Sequence, residues 1–138
     1  MKAQEVFNIV ANKYDLMNDF MSVGTHRYWK ECMIDWLEPF VGMKIIDVAG
    51  GTGDISLRFL KRVNGEGEAV VCDPNGSMIE YGKKKNQYNQ NIKWVTAPAE
   101  NLPFENDSFD AYLVSFGVRN FDNIKKSLEE AHRVLKSD

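Results

Sequence analysis

Apolar side chains in the first forty residues recur at the period of a helix. Val6, Val10, Tyr14, Met17 and Met21 stand three or four apart, which predicts an amphipathic helix, or two short ones, over residues 4–21. Phe7, Leu16 and Phe20 widen that face beyond a simple core stripe. Trp29, Met33, Trp36, Leu37 and Phe40 repeat the pattern in a second helix, stopped near Pro39 and Gly42. From Lys44 the rhythm changes to short apolar runs bounded by turns. Residues 44–48 read as a buried strand and residues 54–63 as a helix opened by glycines. Residues 68–73 make a second strand, followed by the turn "DPNG" and a helix to about residue 86, with Ser77 placed to help cap it. A third strand spans residues 92–97, a fourth spans residues 111–116, and Asp122 caps a last helix to about residue 135.

Strands that alternate with helices at these lengths predict an open parallel α/β sheet. Right-handed crossovers then bring every strand's C-terminal end to one rim, where ligands bind. The chain has 138 residues, 43% hydrophobic and 27% charged, as expected of one globular domain. It divides into an N-terminal helical segment, residues 1–43, and a sheet core, residues 44–138. A net charge of −3 gives no electrostatic reason to expect nucleic acid. Lys83, Lys84 and Lys85 form the one basic cluster, which reads as a solvated helix end. Cys32 and Cys72 lie far apart and make no CxxC spacing, so neither a metal site nor a disulfide framework is expected. No apolar run reaches membrane-span length and no signal-peptide pattern opens the chain, which predicts a cytoplasmic protein.

The chemistry concentrates in "IIDVAGGTGDI", residues 45–55. An apolar strand ends in Asp47, and Gly50, Gly51, Thr52 and Gly53 then form a turn that lets a ligand approach the backbone. A dinucleotide fingerprint would be G-x-G-x-x-G, but Ser56 takes the third glycine's place. Asp54 also puts negative charge at the helix start, where a pyrophosphate would sit. S-adenosyl-L-methionine (SAM), a phosphate-free cationic nucleoside, suits the loop better. Asp47 is placed for its ammonium group. Asp73, closing the second strand beside Pro74, is placed to accept both ribose hydroxyls. The bland alternative is a tight turn with capping aspartates.

Three further segments carry a family resemblance. "VTAPAENLPFENDSFD", residues 95–110, resembles the adenine-binding loop and following segment of SAM-dependent methyltransferases. That resemblance implies cofactor contacts at Ala99 and Glu100. Pro98 stands where the family often has an aspartate that accepts from the adenine amino group, so Glu100, a backbone carbonyl or packing takes over that contact. Met78 and Ile79 are candidates for packing on adenine or for the core. "YDLMNDFMSVGTHRYW", residues 14–29, resembles the signature of the ubiquinone and menaquinone biosynthesis C-methyltransferases of the UbiE/MenG type. "DVAGGTGD", "SFGVRNF" (residues 115–121) and "HRVLK" are similar to segments of that family, so the resemblance covers nearly the whole chain.

The resemblance implies the Rossmann-like sheet of class I SAM-dependent methyltransferases and C-methylation of a polyprenylated benzoquinol or naphthoquinol. It places Ser115 and Phe116 beside the cofactor, near the reacting methyl. Arg119 then stabilises the developing phenolate and Asn120 orients the ring oxygen. Arg119 is too basic to take a proton, which leaves a polarised water or His26 as base. Tyr14 belongs to the same catalytic group, and the N-terminal helix is suited to close over an isoprenoid tail. The family continues past "HRVLKSD" with Pro-Gly-Gly and further strands, so the C-terminal strands are expected to be lacking here. The fourth strand, "AYLVSF", then becomes an apolar edge prone to self-association. Transient contact with the inner face of a membrane is the further partner expected, with no nucleic acid and no metal. Competing readings are a methyltransferase for another lipid or small aromatic acceptor, a non-catalytic SAM-binding scaffold, and an NAD-binding protein.

Overall fold

The computed structural model describes residues 25–49, 51–114 and 121–137, with only the backbone at positions 25, 26, 27 and 29. The helix expected over residues 4–21 lies outside the described residues. Helix α1 spans Thr25–Leu37, strand β1 Lys44–Val48 and helix α2 Asp54–Arg62. Strand β2 covers Glu68–Asp73, helix α3 Gly76–Lys85 and strand β3 Ile92–Thr96. Strand β4, Ala111–Val114, and helix α4, Ile124–Val134, complete the order. The alternation read from the sequence is therefore present, with boundaries shifted by a residue or two.

The four strands form one parallel sheet in the order β3-β2-β1-β4. β1 sits between β2 and β4, and Ile45, Ile46, Asp47 and Val48 are all buried. Such a strand is apolar on both faces because helices cover both sides of the sheet. Side chains in register across a sheet share a face. Asp47 pairs with Val71 and Leu113, and Val71 with Trp94, so these four side chains project to one side. Asp47 meets Ser56 of α2 there, and Trp94 lies against α3, so both helices cover that face.

Helix α2 buries Ile55, Ser56, Phe59 and Leu60, a stripe at helical spacing, while its charged face meets α1. Lys30 Nζ lies 2.6 Å from Asp54 Oδ2, Arg58 Nη1 3.4 Å from Glu31, and Arg62 Nη1 2.7 Å from Asp35. These pairs turn α1 so that Met33 and Ile34 are buried and Leu37 packs partly against the core. Trp36 and Phe40, expected on the buried face, are instead 46% and 52% exposed. Ile34 takes Trp36's place in the stripe with Leu37, and Phe40 lies beyond the helix end, out of phase with it.

Two helix caps differ from the sequence expectation. Asn75, not Ser77, opens α3, its Oδ1 accepting from the backbone N–H groups of Ser77 and Met78. Asn123, not Asp122, opens α4 by accepting from Lys126 N. In each case the asparagine has extended backbone geometry that aims its side chain at the second or third helical N–H.

The loop between β3 and β4 is held by one side chain of α4. Arg133 donates to the carbonyl oxygens of Leu102 and Phe104, to Asn106 Oδ1 and to Glu130. Glu130 in turn accepts from Leu102 N. Phe104 packs edge-on to the buried Phe109, with ring centroids 5.3 Å apart. After α4 the chain returns to this region, and Leu135 bridges Phe109 in parallel. A planar guanidinium reaches all these acceptors and an ammonium cannot. Arg133→Lys is therefore expected to cost about 1–3 kcal/mol, read as a lower urea midpoint with an unchanged slope. Faster amide exchange at Leu102 would accompany it.

Candidate functional site

The C-terminal ends of β1 and β2 carry the two acids. Asp47 is fully buried in β1, one pleat below the rim. Its Oδ2 accepts from Ser56 Oγ at 3.0 Å, while Oδ1 has no hydrogen-bond partner among the described residues. Burial pushes its pKa up to about 7, with the Asp73 carboxylate adding to the rise and the Ser56 hydrogen bonds opposing it. Asp73 closes β2 at the rim and is 9% exposed. Its Oδ2 accepts from Gly51 N at 3.2 Å and its Oδ1 from Asn75 N at 2.8 Å. Each oxygen of an ionised carboxylate has a second lone pair. Asp73 thus ties the glycine loop to the start of α3 and still offers acceptors to a diol.

The loop between the acids requires unusual backbone. Gly51 has φ +57° and Gly53, the N-cap of α2, has φ +80°, both in the left-handed region. Ala49 also has φ +56°, a conformation that disfavours any side chain. Its N–H is spent on Cys72 O at 2.7 Å, which helps hold it there. Around this turn the ligand-facing backbone is set by β2 on one side and α3 on the other. Met78 Cε lies 3.2 Å from the point where a Gly51 Cβ would be, and Asn86 Nδ2 donates to Thr52 O at 3.3 Å.

Asp54 does not behave as the free negative charge the sequence suggested. Burial opposes its ionisation, but Lys30 and then Arg58 outweigh that and hold its carboxyl below the usual range. Its charge is consumed in the α1–α2 pairing, so it neither attracts nor repels a ligand strongly. The acid bonded to the loop is Asp73, while Asp47 meets Ser56 in the helix that follows it.

Beyond β3, Ala99 is buried and Glu100 is half-buried. Glu100 Oε2 accepts from Asn123 N at 3.1 Å, so that oxygen serves the start of α4. Ile79 belongs to the core, whereas Met78 is 39% exposed over the loop, which separates two side chains the sequence left equivalent. Pro74 is exposed next to Asp73. Burial pushes the Cys72 thiol up to about 12, and it donates to Ala97 O, so it is an inert core group. His132 is exposed on α4. Tyr14, Gly50, Ser115, Phe116, Arg119 and Asn120 lie outside the described residues, as does the side chain of His26. Trp94, Gly82 and Asn86, which the sequence reading did not single out, also touch the loop. The only early signal was a glycine inside the helix "GSMIEYGKKK".

The residues fit a cationic nucleoside. A buried carboxylate oxygen without a donor is satisfied by an incoming N–H group, whereas a pyrophosphate would meet two acids. Comparison with solved structures gives the fold. The YcgJ protein of Bacillus subtilis superimposes with a TM-score of 0.72 at 27% identity, over 79% of this chain and 46% of that one. A SAM-dependent methyltransferase from Aquifex aeolicus superimposes with a TM-score of 0.71 at 23% identity, over 78% of this chain and 58% of that one. The sheet is that of the class I SAM-dependent methyltransferases. The model of the ubiE/COQ5 methyltransferase family matches residues 1–138, and the chain belongs to that family. It is 52% identical over 138 residues to a ubiquinone/menaquinone biosynthesis C-methyltransferase UbiE of Ruegeria sp., covering 98% of this chain and 55% of that protein. It is 50% identical to the UbiE of Brucella anthropi, over 96% of this chain and 52% of that protein. The chain thus spans about half the length of the curated relatives it matches.

The buried acid gives a test that needs no ligand. The pKa of Asp47 is raised from 3.8 to about 7 in the fold, so the unfolded chain releases this proton first. Its contribution to stability is complete below about pH 3.8 and is lost as pH rises through about 7. Urea titrations of the wild type and Asp47→Asn across this range are expected to diverge, with the variant lacking that decline.

Proposed function

We propose that this chain holds S-adenosyl-L-methionine at the β1 and β2 ends and takes part in C-methylation of a polyprenylated benzoquinol or naphthoquinol. The observation that carries the proposal is the buried oxygen of Asp47, without a hydrogen-bond partner among the described residues, beside a left-handed glycine turn, with Asp73 at the rim. Family membership and the names of the UbiE relatives support the quinol as acceptor. When bound, the cofactor supplies an electrophilic methyl group on a sulfonium centre.

The chain's own residues have binding, orientation and charge to provide. Asp47 accepts from the cofactor's ammonium group, which draws its proton off and lowers its pKa again. Asp73 accepts from the ribose hydroxyls with the lone pairs left by Gly51 and Asn75. Gly50, Gly51, Thr52 and Gly53 line the amino-acid and ribose portion. Pro74, Ala99, Glu100, Ser115 and Phe116 complete the cofactor set, with Met78 near the adenine side. Arg119 steadies negative charge on the quinol oxygen as the ring carbon becomes nucleophilic, and Asn120 orients that oxygen. His26 or a water takes the phenolic proton, and Tyr14 belongs to the acceptor side. Residues 1–43 act as the lid and tail-binding segment, and residues 44–138 as the cofactor core.

Two partner readings accompany this one. Among the described residues no helix is long and apolar enough to cross a membrane, so access to a lipid-borne quinol is proposed to use peripheral contact with the membrane surface. Self-association through β4 is proposed because it pairs along its length with β1 alone among the described residues. A strictly monomeric mass by light scattering at high concentration would remove that second reading.

Calorimetric titration with S-adenosylhomocysteine tests the cofactor proposal. Saturable binding is expected in the wild type and its loss in Asp73→Ala. Binding is expected to release protons below about pH 7, seen as a heat that depends on the buffer's ionisation enthalpy, and Asp47→Asn is expected to abolish that dependence. A folded wild type that binds NADH and not S-adenosylhomocysteine would sink the reading. Transfer of labelled methyl to short-chain prenyl quinols tests the reaction. Arg119→Ala is expected to lower that transfer about 100-fold or more while leaving S-adenosylhomocysteine affinity unchanged.

A further inference from the structure

We propose that Trp94 is a positioning residue for the cofactor loop: wedged between Gly53 and Gly82, its ring sets the loop shape on which cofactor affinity depends. The inference rests on the reading of this loop as the S-adenosyl-L-methionine site. Trp94 lies on β3, beside the strand that carries Asp73 and two strands from the one that carries Asp47, and register places it on their face of the sheet. It pairs with Val71, and Val71 pairs with Asp47. From there the ring reaches the start of α2. A Cβ on Gly53 would stand 2.6 Å from Trp94 Cη2, and a Cβ on Gly82 would stand 2.5 Å from Cζ3 and 2.8 Å from Cη2. Real side chains do not approach below 3.0 Å, so both glycines are required by the ring between them.

Gly82 makes the requirement plain. It sits inside α3 with ordinary helical backbone, where glycine costs about 1 kcal/mol relative to alanine. Nothing in the helix itself needs it. The room it leaves is filled by the indole, and a Cβ there would also press to 3.2 Å on the Gly51 carbonyl oxygen. Met78, Gly82 and Asn86 stand four apart and share one face of α3 and its cap. That face lies along the loop: Met78 against Gly51, Gly82 against Trp94 and the Gly51 carbonyl, and Asn86 donating to Thr52 O. The opposite end of α3 begins at Asn75, whose N–H is bonded to Asp73. Helix α3 therefore joins the ribose acid to the glycine turn, and Trp94 keys the two together.

The test is a double-mutant cycle read by calorimetry with S-adenosylhomocysteine, beside urea unfolding of each protein. Gly82→Ala and Trp94→Leu are each expected to raise Kd about tenfold. Gly82→Ala combined with Trp94→Leu is expected to recover much of that loss, because leucine vacates the space that the alanine methyl takes. Trp94→Phe, which keeps a flat ring, is expected to retain more affinity than Trp94→Leu. In a Trp29→Phe, Trp36→Phe background, S-adenosylhomocysteine is expected to shift the Trp94 emission. Wild-type affinity in both single variants, or strictly additive losses in the cycle, overturns the wedge and leaves the cofactor reading intact. Failure of the wild type itself to bind S-adenosylhomocysteine overturns the cofactor reading, and the affinity role of Trp94 with it. Should Gly82→Ala not fold, the Trp94→Phe and Trp94→Leu pair decides alone: equal Kd to wild type in both rejects the proposal.

Discussion

A carboxylate buried beneath the rim of a central strand sets the terms for the rest of this structure. β1 is hydrogen-bonded on both edges and covered on both faces, so Asp47 has no water to solvate it. One hydroxyl from Ser56 answers one oxygen, and the other is left without a donor among the described residues. An unpaired buried charge costs several kcal/mol unless it neutralises or finds a partner. The ligand-free fold takes the first course, holding the proton to near neutral pH. A cationic group beside the carboxylate would offer the second.

The glycine turn is held from outside rather than by its own composition. Asp73 draws Gly51 N towards β2, Asn86 fixes Thr52 O, and Trp94 fills the space against Gly53. The helix that follows the turn is fixed in the same way. Asp54 at its start is bound by Lys30 of α1 and by Arg58, so the N-terminal helix and the cofactor loop share one electrostatic anchor. A movement of α1 would therefore be felt at the start of α2 and at the loop before it.

Family membership and the fold agree, and the geometry shows which side chains near the loop are already committed to structural contacts. Glu100 is partly committed to the start of α4, because one of its carboxylate oxygens accepts from Asn123 N. Cys72, close to the acids, is kept as a thiol by burial. The fourth strand, at the edge of the sheet among the described residues, buries all of its side chains, so that edge presents backbone rather than exposed apolar surface.

Periodicity and turn chemistry by themselves determined the element order, the parallel sheet and the identity of the loop. Those features depend on local spacing: apolar runs of strand length, glycines after Asp47, an acid at the end of β2. The acids Asp47 and Asp73 were legible because strand ends converge on one rim in any such sheet. Sequence did not distinguish Asn75 from Ser77 as a cap, since neighbouring residues of similar chemistry differ only in backbone angle. Nor did it turn α1 correctly, because the ion pairs that orient it join residues about thirty positions apart. Only the tertiary structure decided that Asp54 is paired with Lys30 and Arg58, that one oxygen of Asp47 has no partner among the described residues, and that Trp94 reaches the loop from a strand two removed from β1. These depend on which side chains meet across the sheet and between helices, and register, not spacing along the chain, brings them together.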